Sequence, residues 1–170
     1  MQIKWEGVMP AVTTKFTKED TLDLDMFELN IQAQLEAGVS AIILGGTLGE
    51  ASTLTDDEKK ILIQETVRIV NGKIPVIINI AEQTTKGAIE AAFKAKKYGA
   101  SGLMMLPPMR YKANDFETVT YFKEVAKSTD LPIMIYNNPV DYGIEVTLDM
   151  FEELLTMPNI QAVKESTRDI

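Results

Sequence analysis

Ile160-Gln161-Ala162-Val163-Lys164-Glu165-Ser166 is the stretch on which the reading of this chain turns: a short, largely apolar run that ends in a lysine. Five earlier runs are of the same kind, at residues 8–13, 41–44, 75–80, 102–106 and 131–136, with the sixth at 160–163. Continuous apolar runs of this length, rich in β-branched residues, suit strands buried on both faces of a parallel sheet. The stretches between them carry helical signals. Residues 23–37 place Leu24, Phe27, Ile31 and Leu35 at three- and four-residue spacing and stop at Gly38. Thr55-Asp56-Asp57-Glu58 reads as a capping box that opens a helix running to Val70, before Asn71-Gly72. Residues 85–98 put Ala88, Ala91, Ala92 and Ala95 on one face, with Gly99 after them. Residues 115–127 and 148–155 behave alike, the latter with Thr147 as N-cap. Strand and helix alternate with a repeat of about 30 residues, the size of a βαβ unit.

Composition narrows the chemistry. The chain has 170 residues, 45% of them hydrophobic and 25% charged, with a net charge of -8. The negative charge argues against a phosphate-backbone partner, which needs a basic face. With no cysteine and no histidine, disulfides, thiolate nucleophiles, His general bases and His-ligated metals are all excluded. Chemistry here falls to Lys, Tyr, Ser/Thr, Asp/Glu or Arg. Neither a signal-peptide run nor about 20 consecutive apolar residues occurs, so the expected location is the cytoplasm.

A β/α alternation fits an open doubly wound sheet or a closed (β/α) barrel, and in both the active residues gather beyond the C-terminal ends of the strands. Gly45-Gly46-Thr47-Leu48-Gly49-Glu50 follows the second run, Tyr136-Asn137-Asn138-Pro139 ends the fifth, and Lys164 ends the sixth. An amine buried beside apolar groups has a lowered pKa and can attack a ketone; a strand-end lysine can equally snorkel to a carboxylate. Tyr136 can relay a proton or be a core tyrosine with a satisfied hydroxyl. The glycine turn offers amides and the Thr47 hydroxyl to an anion, or is simply a tight connection. Arg110, within Pro107-Pro108-Met109-Arg110-Tyr111-Lys112, is a candidate for a substrate carboxylate or part of a solvated loop.

Taken together and in this order, Gly-Thr-X-Gly-Glu, Tyr-Asn-X-Pro and Lys-Glu-Ser make the chain resemble the dihydrodipicolinate synthase and N-acetylneuraminate lyase family, from Gly7-Val8-Met9-Pro10 onward. The resemblance implies an α/β fold, the (β/α)8 TIM barrel, with about six of its eight β/α units present as one incomplete domain over residues 1–170. It implies class I aldolase-type lyase chemistry: Lys164 as the Schiff-base lysine, Tyr136 as the proton-relay phenol, and Thr47 linking that phenol to a substrate carboxylate held near Gly46, Thr47 and Leu48. The substrate would be pyruvate or another 2-oxo acid. No cofactor is implied, the lysine imine being the electron sink, and homo-oligomers, dimer or tetramer, are expected.

The departures matter too. The synthase branch has a second hydroxyl residue where Leu48 stands, a tyrosine where Arg110 aligns, and an arginine where Asp141 aligns. The segments around residues 106–111 and 136–143 resemble instead the branch that eliminates water or ammonia, such as 4-hydroxy-1-pyrroline-2-carboxylate deaminases and 2-keto-3-deoxy sugar-acid dehydratases. A pyruvate-dependent aldolase, a catalytically silent fragment and a non-enzymatic binding module are the other readings. With a usual barrel length of about 250 residues, the expectation is a barrel that stops before strands seven and eight.

Overall fold

The computed structural model describes residues 3–108 and 111–168. They form two compact units, one from the chain up to Asn79 with Ala95–Gly102, the other from Ile80–Lys94 with the chain from Leu103 onward.

In the first unit, helix α1 (Leu24–Glu36) starts where the Asp23 carboxylate accepts from the Met26 N–H and buries Phe27 and Ile31, one turn apart. Strand β1 (Ile42–Leu44) pairs in parallel with β2 (Val76–Ile80) in the register Ile42↔Val76, Ile43↔Ile77 and Leu44↔Ile78. Both strands are buried throughout, as runs that are apolar except for Asn79 in β2 favour. Helix α2 (Asp56–Val70) opens on the expected capping box, with Thr55 and Glu58 satisfying each other's backbone N–H groups, and Asn71 in the left-handed region ends it. The apolar run at residues 8–13 forms no regular strand. It makes one parallel bridge, Ala11↔Ile43, with bonds from Ile43 N–H to the Pro10 carbonyl (2.9 Å) and from Val12 N–H to the Ile43 carbonyl (3.0 Å). Pro10 has no N–H to give to a ladder, which keeps this run from extending into a strand.

Helix α3 (Thr85–Tyr98) begins in the second unit and buries Ala88 and Ala92. In that unit, parallel pairing joins β3 (Gly102–Met105) to β4 (Ile133–Asn137), and β4 to β5 (Ile160–Glu165). Between them lie α4 (Asp115–Ser128), whose cap is the Asn114–Glu117 box, a four-residue helix α5 (Pro139–Tyr142), and α6 (Leu148–Leu154). Asn159 ties the entry to β5 back to the end of α4, its side-chain amide donating to the Ala126 and Thr129 carbonyls at 3.0 Å each.

One expectation about strand burial fails. The run at 160–163 reads as buried on both faces, yet β5 alternates half-buried and exposed residues, with Val163 44% exposed. Among the described residues it pairs only with β4, and a strand paired on one side is not enclosed as β1 and β2 are.

The turn after β1 is tightly set. A Cβ added at Gly49 would lie 2.9 Å from the Val12 carbonyl oxygen, and the Gly49 carbonyl accepts from the buried Thr14 hydroxyl at 2.6 Å. Gly49→Ala is expected to destabilise the fold by about 1–3 kcal/mol. Thermal melts of the two proteins measure this, and an unchanged Tm would mean that the turn yields without cost.

Candidate active site

Lys164 and Tyr136 are brought together by strand register. β4 and β5 pair Tyr136 with Lys164 and Asn137 with Glu165. Partners on a parallel rung lie side by side with their side chains on the same face, so the lysine and the phenol meet on one face and the next rung uses the other. The Lys164 ammonium nitrogen sits 3.9 Å from the centre of the Tyr136 ring, well within cation–π range. The edge of Tyr142 packs against that ring, with centroids 5.5 Å apart and an interplanar angle of 88°.

The segment after β4 shapes the other side of the phenol. Asn138 caps α5, Pro139 occupies its first turn, and Gly143 closes it at φ 70; this is the order Asn, Pro, Gly that short helices favour. The Asn138 side-chain amide donates to the Tyr136 hydroxyl oxygen (3.1 Å) and to the Asp141 carboxylate (2.7 Å). A cavity of about 500 Å³ lies here, lined by Tyr136, Asn138, Asp141, Glu165, Ser166, Thr167 and Arg168. Lys164 is not in that lining; its amine lies over the ring of Tyr136, which is.

A second cluster backs the pair. Asn137 is 2% exposed. Its amide donates to the Val146 carbonyl (3.1 Å) and to the Glu165 carboxylate (2.9 Å), while its own oxygen accepts from the Val146 N–H (2.9 Å). The other Glu165 oxygen accepts from the Ser166 and Thr167 N–H groups at 2.8 and 2.7 Å. Burial raises the Glu165 pKa, but the hydrogen bonds from Asn137, Thr167 and Ser166 outweigh it and hold the carboxyl below its ordinary 4.5.

Of the other residues singled out in the sequence, Gly46, Thr47 and Leu48 lie in the first unit. Gly46 precedes a short 3₁₀ turn, Thr47–Gly49, and the Leu48 side chain is 76% exposed. Arg110 lies outside the described residues. Sequence reasoning passed over Asn137, Asn138 and Glu165 as functional side chains, although the Asn-Asn-Pro order and the Glu directly after the lysine were the available signals. No group of three or more Asp or Glu side chains among the described residues is placed to hold a metal ion. No helix among them is long and apolar enough to cross a membrane.

Residues 4–170 match the model of the dihydrodipicolinate synthetase family. A 4-hydroxy-tetrahydrodipicolinate synthase from Exiguobacterium sibiricum is 37% identical over 166 residues, 98% of this chain and 57% of that protein. The dihydrodipicolinate synthase of Thermotoga maritima, a solved structure, superposes with a TM-score of 0.93 at 34% identity, covering 96% of this chain and 55% of the other. The Escherichia coli K12 prophage protein YagE, of the dihydrodipicolinic acid synthase family and solved with pyruvate, gives a TM-score of 0.91 at 28% identity over 97% of this chain and 56% of its own. The chain thus spans little more than half the length of the relatives it matches. The fold class is their (β/α)8 barrel, as the strand-end motifs implied, and not the open doubly wound sheet.

Because its folded-state pKa is lowered, Glu165 contributes stability that is present above the ordinary carboxyl value and is lost as pH falls through the lowered one. The Ser166 and Thr167 amide resonances are therefore expected to titrate together with a midpoint below 4.5. A midpoint at or above that value would show that the two amides do not hold the carboxylate.

Proposed function

The chain belongs to the dihydrodipicolinate synthetase family, and from that premise we propose that it contributes the reacting lysine of a lyase that forms a Schiff base with a 2-oxo acid. The observation that carries this reading is the placement of the Lys164 amine 3.9 Å from the ring centre of Tyr136. The Lys164 nitrogen attacks the C2 ketone, water leaves, and an iminium ion forms. The iminium withdraws electrons from C3, so a C3 proton becomes removable and the enamine that results is stabilised. Tyr136 is the group for that proton transfer, its hydroxyl oriented by the Asn138 amide. Hydrolysis of the imine then frees the lysine. No cofactor is required, because the imine is itself the electron sink.

Two fates of the enamine separate the finer readings. Expulsion of a C4 hydroxyl or amine makes the enzyme a dehydratase or deaminase, acting on substrates such as 2-keto-3-deoxy sugar acids or 4-hydroxy-1-pyrroline-2-carboxylate. Asp141 supports this fate: its carboxylate lines the cavity beside Tyr136, where it accepts hydrogen bonds from a hydroxylated or aminated substrate and repels a second carboxylate. Carbon–carbon bond formation or cleavage with pyruvate is the other fate. It is favoured by the synthase relatives and by the pyruvate complex of YagE.

Incubation with pyruvate, or with a 4-hydroxy-2-oxo acid, followed by borohydride reduction and peptide mapping is expected to place the adduct on Lys164. A folded protein modified at another lysine, or at none, would refute the Schiff-base reading. In turnover, Lys164→Ala is expected to abolish activity. Tyr136→Phe, which keeps the ring but loses the hydroxyl, should retain a residue reduced by about 10²–10⁴-fold. Release of water or ammonia from the 4-substituted substrate marks elimination; pyruvate as a cleavage product with no elimination product would overturn that branch. Asp141→Asn is expected to weaken discrimination between hydroxylated and carboxylated substrates, seen as a change in the ratio of their kcat/KM values.

A further inference from the structure

The Tyr136–Lys164 rung sits at the end of a strand pair that is weakly enclosed. β5 is half-buried at best along its length, and the β4–β5 register is interrupted near Ile133 and Met134. Backbone pairing alone is a poor guarantee that an amine stays in place on such a strand. The rung that follows is built differently. Asn137 makes a closed set of contacts with Val146, donating to its carbonyl and accepting from its N–H. Those two bonds fix the orientation of the amide, because turning it over would set Nδ2 against the Val146 N–H and Oδ1 against the Val146 carbonyl. Nδ2 therefore has to face Glu165 as a donor. On its other oxygen, Glu165 meets two more donors, the Ser166 and Thr167 N–H groups. Ser166 N–H also reaches the Asn137 carbonyl at 2.9 Å. Asn137 Nδ2 and the Ser166 and Thr167 N–H groups can only donate, so both oxygens at position 165 are called on as acceptors.

The geometry points to Asn137 and Glu165 as positioning residues for Lys164: they latch β5, and the turn that follows it, onto β4 one rung beyond the lysine and so hold the amine against Tyr136. Neither side chain acts on the substrate as a proton donor or nucleophile in this role. The structural latch stands on the hydrogen bonds alone; its effect on catalysis rests on the Schiff-base reading given above. Glutamine at position 165 is not a neutral replacement. Its amide offers one acceptor oxygen in place of two, so it loses either the bond from the fixed Nδ2 of Asn137 or those from the pair of backbone N–H groups. Exchanging the two functions repairs this contact. In the double variant Asn137→Asp with Glu165→Gln, the carboxylate now at position 137 accepts from the amide now at position 165 and from the Val146 N–H. The oxygen of that new amide remains an acceptor for Ser166 and Thr167. The bond to the Val146 carbonyl is lost, and the carboxylate oxygen that takes the place of Nδ2 meets that carbonyl acceptor against acceptor.

The test uses the full chain and two readouts. The first is the proton chemical shift of the Lys164 ε-methylene, which a position over the Tyr136 ring moves upfield whether or not any reaction occurs. The second is the rate of borohydride-trappable adduct formation with pyruvate. Glu165→Gln is expected to remove most of the upfield shift and to slow adduct formation by about tenfold or more, with little change in the pyruvate concentration at half-maximal rate, since misplacement of a reacting group costs rate more than binding. The exchanged pair should regain much of the shift and form the adduct faster than Glu165→Gln, the non-additivity expected of residues in contact. An exchanged pair that keeps the wild-type fold but shows no more of the ε-methylene shift than Glu165→Gln overturns the latch. An unchanged shift and rate in Glu165→Gln also overturns it. Wild-type protein that shows the shift and its loss and recovery in the variants, but never forms an adduct, would leave the latch standing and sink the Schiff-base reading instead.

Discussion

Parallel pairing of β4 with β5 at one particular register is the constraint on which the site rests. Side chains along a strand alternate between faces, so a shift of β5 by a single residue would exchange the faces of Lys164 and Glu165. The amine would leave the Tyr136 ring, and a carboxylate would take its place beside the phenol. Backbone bonds set spacing but are nearly indifferent to which residue occupies which rung. Side-chain contacts break that degeneracy. Lys164 against Tyr136 on one face and Glu165 against Asn137 on the other are both satisfied in the observed register, and a one-residue slip loses both together.

The same logic explains which parts of the fold are legible in the sequence. Helix boundaries are legible because local chemistry decides them. Thr55 with Glu58, Asp23, and Thr147 each announce a helix start by the bond they make to an N–H in the first turn, and each bond closes within three residues. β1 and β2 are legible because burial on both faces leaves their runs apolar but for Asn79. The run at 8–13 looks the same but contains Pro10, whose missing N–H reduces it to a single bridge. For 160–163 the residue types mark a strand, while its partial exposure depends on what lies beside it in space. No local pattern carries that information.

At the site, the residues that react in the proposed chemistry are legible and those that hold them are not. Lys164 and Tyr136 stand out because an amine or a phenol at the end of an apolar run is chemically unusual. Asn137, Asn138 and Glu165 are ordinary in a loop-like context, and their significance appears only when Val146, Asp141 and the Ser166–Thr167 amides are brought to them by the fold. A sequence shows what a side chain is able to donate or accept. It does not show that the Asn137 amide is fixed by two bonds to a residue nine positions away, and so it does not show that position 165 must be an acceptor.

The resting place of the lysine bears on the order of events in the proposed reaction. The face of an aromatic ring attracts a cation through its quadrupole, by about 0.5–2 kcal/mol depending on exposure, and offers nothing comparable to a neutral amine. The iminium of the proposed reaction carries positive charge on the Lys164 nitrogen, 3.9 Å from the ring centre, so the ring favours that covalent intermediate. The neutral species before it, the amine that attacks and the carbinolamine that loses water, gain least from that ring. Its effect is thus to stabilise the cationic product of the addition rather than the neutral species that precede it. Proton transfers that discharge and recharge the nitrogen become the steps on which a nearby hydroxyl has most influence, and the Tyr136 hydroxyl, held by Asn138, belongs to the same side chain as the ring.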